Sequence, residues 1–139
     1  MFQGTTLVTL DEKGRLLLPA KSRAEVTERG GTLVAVRHPD GCLVLYLADA
    51  WVPRREKLLA MPWNARGFVR FVLGSAVELR LDAAGRILVP ADLRKLAELE
   101  RECALVGLGE HFELWDRRKL RVAEEAALKE GLNGGDFTF

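Results

Sequence analysis

Two apolar segments, Leu7-Val8-Thr9-Leu10 and Val77-Glu78-Leu79-Arg80-Leu81, are each followed by a polar turn, three aliphatic residues and a proline. The aliphatic runs Leu16-Leu17-Leu18 and Ile87-Leu88-Val89 read as buried β-strands returning from those turns. Pro19 and Pro90 then stop the ladder and pre-set φ for a first helical turn. Short helices are expected over Ala20 to about Glu28, with Arg29-Gly30-Gly31 as the stop, and over Ala91 to about Glu98. Thr32–Arg37 and Cys42–Leu47 read as strands joined by the turn His38-Pro39-Asp40-Gly41. In the second half, Cys103–Gly107 and Phe112–Trp115 repeat that pair.

Between the halves the period changes to helical. Asp49 is placed to cap a helix running to about Ala60 and interrupted near its start by Pro53. Met61-Pro62-Trp63-Asn64 breaks the pattern. Asn64 is placed to cap a second helix from Ala65 to about Leu73, where Phe68, Val69, Val72 and Leu73 mark one buried face. Asp116 to about Glu130 is again helical, and Gly131 ends it. The tail from Gly134 to Phe139 has no periodicity and is expected to be mobile unless its two Phe side chains dock on a neighbour.

The two halves are related by more than pattern. Asp11, Gly14, Arg15, Pro19, Ala20 and Arg23 recur as Asp82, Gly85, Arg86, Pro90, Ala91 and Arg94, each displaced by 71 positions. Six identities in register mark an internal duplication. In each copy Asp opens the turn and Gly accepts the positive φ of a tight reversal. Lys13 and Arg15 flank Gly14, whereas Arg86 stands beside Ala83, Ala84 and Gly85. A guanidinium on a rigid turn can fork onto phosphate oxygens or onto guanine O6 and N7. The plainer alternative is an Asp–Arg pair that ties off its own turn. Two equivalent basic tips on one body favour a repetitive polyanion.

These residues carry a resemblance. Met1-Phe2-Gln3-Gly4, Leu10-Asp11-x-Lys13-Gly14-Arg15-Leu16-x-x-Pro19-x-x-x-Arg23, the second-copy Asp82-x-x-Gly85-Arg86-Ile87-Leu88-x-Pro90-x-x-Leu93-Arg94, then Leu105-Val106-Gly107 and Phe112-Glu113-Leu114-Trp115 resemble the MraZ family. The match runs from Met1 to about Trp115. It implies an α+β fold with a mainly β core, a tandem-duplicated swapped-hairpin β-barrel of the AbrB/MazE class with flanking helices. It also implies a bacterial transcriptional regulator, usually a repressor, of the division and cell-wall operon. The implied partner is double-stranded DNA carrying short direct repeats in the promoter, and the implied assembly is a ring-shaped homo-oligomer. The family's DNA-contacting residues carry over to Lys13, Gly14, Arg15, Gly85 and Arg86. Arg15 and Arg86 would reach base edges, while Lys13, with Lys21, Arg23 and Arg94, would hold phosphates. Ala84 stands where the first copy has Lys13, so the two tips need not contribute equally.

A chain of 139 residues suits one compact domain or two small ones. Residues 1–70 form the first repeat with connecting helices, and residues 71–139 the second with a C-terminal helix. Each would be marginal alone, so the two are expected to share one barrel core. Net charge is only +1. Its distribution is uneven: residues 1–70 hold 11 Lys/Arg against 7 Asp/Glu, and residues 71–139 hold 10 against 13. A modest basic patch per subunit grows when several copies line one surface. Arg54, Arg55, Lys57 and Arg117-Arg118-Lys119 read as mixed solvated surface.

Composition excludes other classes. No stretch approaches the roughly 18 apolar residues of a membrane span, and the start lacks a signal-peptide layout, so a cytoplasmic, nucleoid-associated protein is expected. Cys42 and Cys103 sit in apolar runs and read as small core residues. His38 and His111 lie far from any Cys-x-x-Cys pattern, so no metal and no cofactor is expected. Trp51, Trp63 and Trp115 lie away from the basic tips and read as core or subunit packing. The paired Asp11 and Asp82 could suggest an aspartic-protease dyad. Each is followed by Glu12 or Ala83 instead of a small hydroxyl residue, and the adjacent Arg would hold it ionised, so no enzyme and no small-molecule substrate is expected. The remaining alternative is a protein-binding assembly or antitoxin-like module, with the acidic C-terminal half as its docking surface.

Overall fold

The computed structural model describes all 139 residues, Met1–Phe139. The first copy comprises β1 (Phe2–Thr9), β2 (Arg15–Leu17), α1 (Ala20–Glu28), β3 (Thr32–Arg37) and β4 (Leu43–Leu47). Two helices follow, α2 (Ala48–Leu59) and α3 (Arg66–Leu73), with a one-turn 3-10 helix at Trp63–Ala65 between them. The second copy is β5 (Val77–Arg80), β6 (Arg86–Leu88), α4 (Ala91–Leu96), β7 (Glu102–Gly109) and β8 (His111–Asp116), closed by α5 (Arg117–Glu130).

Strand pairing crosses between the copies. The six-stranded antiparallel sheet runs β1-β7-β8-β4-β3-β5. The first copy's leading strand therefore lies on the second copy's hairpin, from Phe2↔Gly109 to Thr9↔Glu102. The second copy's leading strand lies on the first copy's hairpin, from Thr32↔Arg80 to Ala35↔Val77. At the centre β4 and β8 pair, joining the two hairpins. The three-residue strands β2 and β6 pair only with each other. Gly14 and Gly85 carbonyls extend that ribbon, accepting from Val89 N–H at 2.8 Å and Leu18 N–H at 3.2 Å. The return strands expected after each turn thus ladder with the other copy, not with the strand before them. A three-residue strand must find partners for its backbone groups, and the equivalent strand of the duplicate supplies them.

The larger hydrophobic cluster draws Leu16, Leu18, Val26 and Leu33 from the first copy and Ile87, Val89, Leu93 and Leu105 from the second. Strand β3 is buried on both faces. Leu33 and Ala35 enter this cluster, while Val34 and Val36 meet Val44, Trp51 and Leu58 under α2 and α3. The molecule is α+β, with a mainly β core and flanking helices.

Several local expectations are corrected. The sheet's outer pair is longer than its apolar residues suggested, because β1 ladders along the whole of β7 despite its Thr-rich polar stretch. Gly107 permits the close approach, since a Cβ there would lie 2.6 Å from the Gln3 amide nitrogen. Helix α2 runs through Pro53 unbroken, held by buried Ala50, Trp51 and Leu58. Asp49 does not cap it. Leu47 occupies the cap, and Asp49 instead takes a bidentate pair from Arg29 at 2.7 and 2.8 Å. Asn64 lies inside the 3-10 turn, and Ala65 heads α3 with no side-chain cap. The apolar face of α3 is only partly covered: Val69, Val72 and Leu73 pack on the satellite cluster, and Phe68 is exposed. Asp116 does cap α5, accepting from Arg118 and Lys119 amides.

Trp51 and Trp115 are buried, whereas Trp63 is exposed, with the Arg66 guanidinium 4.7 Å from its ring centroid. In the tail, Phe137 and Phe139 meet edge to face at 5.0 Å, both exposed. No helix is long and apolar enough to cross a membrane.

Candidate nucleic-acid interface

Each turn is built around its aspartate. Asp11 Oδ1 accepts the amides of Lys13 at 3.0 Å and Arg15 at 2.9 Å, and its Oδ2 accepts Arg15 Nε at 2.7 Å. Asp82 repeats this with the amides of Ala84 at 2.9 Å and Arg86 at 2.8 Å, and with Arg86 Nε at 3.0 Å. A short carboxylate bonding backbone two and four residues on is what makes Asp a turn former. The Arg15 amide, then the Arg15 and Lys13 side-chain and backbone donors, hold Asp11 below the ordinary carboxylate value. The Arg86 amide leads the same effect at Asp82.

This geometry unites the two readings of the Asp–Arg pair. The Nε edge of each guanidinium is anchored to its own turn. The Nη groups of Arg15 and Arg86 make no hydrogen bond within the chain, and the side chains remain about one-third exposed. Such a half-anchored fork has two donors fixed in direction and open to an acceptor. Two carboxylates each held ionised by a separate arginine cannot share a proton, so the protease-like dyad has no basis here.

The β2–β6 register decides which way the tips face. Arg15 lies opposite Leu88 and Leu17 opposite Arg86. Residues directly opposite, and residues two apart on a strand, share a face. Arg15, Leu17, Arg86 and Leu88 therefore form one outward surface, while Leu16 and Ile87 point into the core at 1% and 0% exposure. Leu17 and Leu88 are 50% and 54% exposed. Both stand in aliphatic runs whose pattern predicts buried strand, and the structure turns them outward. The signal that would have placed them outside is their two-residue spacing from the arginines.

The other residues separate into an exposed group and a group packed across the turns. Lys13 and Lys21 are exposed. Gly14 and Gly85 are buried, with φ of +88° and +83°, and each lies beneath an arginine of the other copy. Arg94 crosses Gly14 and donates Nε to the Val89 carbonyl at 3.0 Å. Arg23 crosses Gly85, and its Nε is buried without a partner. Of the Arg117-Arg118-Lys119 run, Arg117 pairs with Glu102 at 3.6 Å, and the Lys119 ammonium donates to the Gly41 carbonyl at 2.9 Å. Cys42 and Cys103 are free and buried.

The duplicated architecture has relatives. Residues 1–66 and 72–132 match the family model described as "MraZ protein, putative antitoxin-like". The chain is 43% identical over 142 residues to the "Transcriptional regulator MraZ" of Paraburkholderia phytofirmans, covering 100% of both chains. It is equally similar, at 43% over the full length of both chains, to the proteins of that name from Burkholderia cenocepacia and Burkholderia multivorans. These relatives carry the name of a regulator, not of an enzyme. With both repeats matched and full-length relatives at this identity, the chain belongs to the MraZ family.

Proposed function

We propose that this chain is a DNA-binding transcriptional regulator that reads tandem promoter repeats through its two Asp-x-x-Gly-Arg turns. One observation carries the reading: the exchange of strands sets Arg15 and Arg86 on a single outward ribbon face, each anchored at Nε and open at Nη. A two-stranded ribbon fits the major groove of B-DNA, and arginine there reads guanine O6 and N7. Lys13 and Lys21 supply phosphate contacts that set register. Arg23 and Arg94 join them as phosphate contacts from beside the opposite turns, where Gly85 and Gly14 are the backbone positions that admit them.

The regulator acts as a ring-shaped homo-oligomer that represses the division and cell-wall operon and resides on the nucleoid. Exposed apolar residues on α2, α3 and α5, including Leu59, Phe68 and Val122, support assembly through those helices. A ring follows when one subunit's front meets its neighbour's back and the rotation closes.

Fluorescence anisotropy tests this reading, using tandem repeats from the operon promoter against scrambled duplex at two salt concentrations. Wild type is expected to prefer the repeats, and Arg15→Ala or Arg86→Ala to abolish the preference. A change confined to the salt slope would make the turns phosphate clamps. Equal affinity for scrambled DNA would refute DNA reading and turn attention to a protein partner.

A further inference from the structure

We propose that Leu17 and Leu88 are specificity-determining residues that contact the 5-methyl groups of thymines beside the bases read by Arg15 and Arg86. The inference rests on the DNA-reading function proposed above. Its first support is placement. The two leucines share the outward ribbon face with both arginines, Leu88 directly opposite Arg15 and Leu17 directly opposite Arg86. Any approach that brings the arginines to base edges brings the leucines to the same groove.

The second support is exposure. Leu17 and Leu88 lie half in solvent at equivalent positions of both copies, while their strand neighbours Leu16 and Ile87 are fully buried. Within this chain about half of each side chain is left uncovered. In the major groove the one apolar group on a base edge is the thymine methyl. An aliphatic side chain there gains by excluding water from that methyl and gains nothing comparable from cytosine.

The third support is spacing. Residues two apart on a strand are separated by about 6.7 Å, and base pairs rise by about 3.4 Å. Arg15 and Leu17 therefore span about two base steps, as do Arg86 and Leu88. Cross-strand neighbours, about 5 Å apart, span between one and two. The responsive thymines should lie within about two base pairs of a guanine whose contact depends on arginine.

The test replaces thymine by deoxyuridine, which keeps every hydrogen-bonding group and lacks only the methyl. Wild type, Leu17→Ala, Leu88→Ala and Arg15→Ala, all full length, are titrated against the repeat duplex, its fully uracil-substituted form and single-site substitutions. Wild type should lose about four-fold in affinity for each contacted methyl removed. Each leucine variant should lose a similar factor on thymine DNA and become insensitive to uracil at its own position. Unchanged wild-type binding to the fully substituted duplex overturns the inference, even if Leu→Ala alters folding or assembly. So does full thymine discrimination in both leucine variants. In either case a continued requirement for Arg15 leaves the DNA-reading function standing, whereas loss of repeat preference in wild type removes both.

Discussion

Gly14 lies beneath Arg94: a Cβ at residue 14 would stand 2.5 Å from Arg94 Nε and 2.8 Å from the Val89 carbonyl oxygen. The two residues belong to different copies of the duplicated motif, and Gly85 stands in the same relation to Arg23. Each turn is thus finished by the other repeat. Its glycine supplies both the left-handed backbone and the clearance for a foreign side chain.

Gly14→Ala and Gly85→Ala should each destabilise the protein by about 1–3 kcal/mol through backbone strain, with crowding added. Gly30→Ala is the control, since its φ is +106° but no atom lies within 4 Å of the added Cβ. Urea denaturation should rank Gly30→Ala as the mildest of the three. Equal losses would show that crowding by the crossed arginines contributes nothing.

The aspartates confer an acid-sensitive stability. Their carboxyls are held below the ordinary value of 3.8, chiefly by the amides of Arg15 and Arg86. A carboxyl depressed in the folded state contributes stability that is complete above its unfolded value and is lost as pH falls through the folded value. Melting temperature should therefore be insensitive to these groups from pH 7 to about 5 and fall below about pH 4. Asp11→Asn with Asp82→Asn should flatten that acid limb, as followed by circular dichroism.

The cysteines should be chemically silent. Burial is the main cause pushing both thiols up to about 12, reinforced by nearby acidic groups. At pH 8 only about one thiol in 10,000 is then ionised, and the thiolate is the reactive form. Ellman's reagent should titrate no thiol in the native protein and both in denaturant. Rapid native reaction of either would contradict the packing around Cys42 or Cys103.

The inner face of the ribbon should bear much of the stability. Ile87 is 0% exposed and paired opposite Leu16, so Ile87→Ala should cost about 2–5 kcal/mol. Fragments 1–70 and 71–139 should each be unfolded alone, because each lacks the strand that the other lays on its hairpin. Mixing them should restore sheet structure by circular dichroism. Independent folding of either fragment would mean that the repeats do not require a shared core.

Local chemistry made the turns legible. Asp, Gly and Arg at fixed spacing specify their own hydrogen bonds within five residues, and Pro19 and Pro90 end each β-run by removing a donor. The Asp116 cap of α5 was readable for the same reason, since its partners are two and three residues away. Repeat spacing and family resemblance carry the same legibility from Met1 to about Trp115. Strand pairing was different. Backbone amides and carbonyls bond equally well to any strand of suitable length, so no local pattern said that β2 would pair with β6 or that β1 would lie on β7. Tertiary structure made that choice, and with it decided that Arg23 and Arg94 cross to the opposite turns. It also turned Leu17 and Leu88 outward, because in a pleated ribbon whose one face is committed to the core every second residue must leave it.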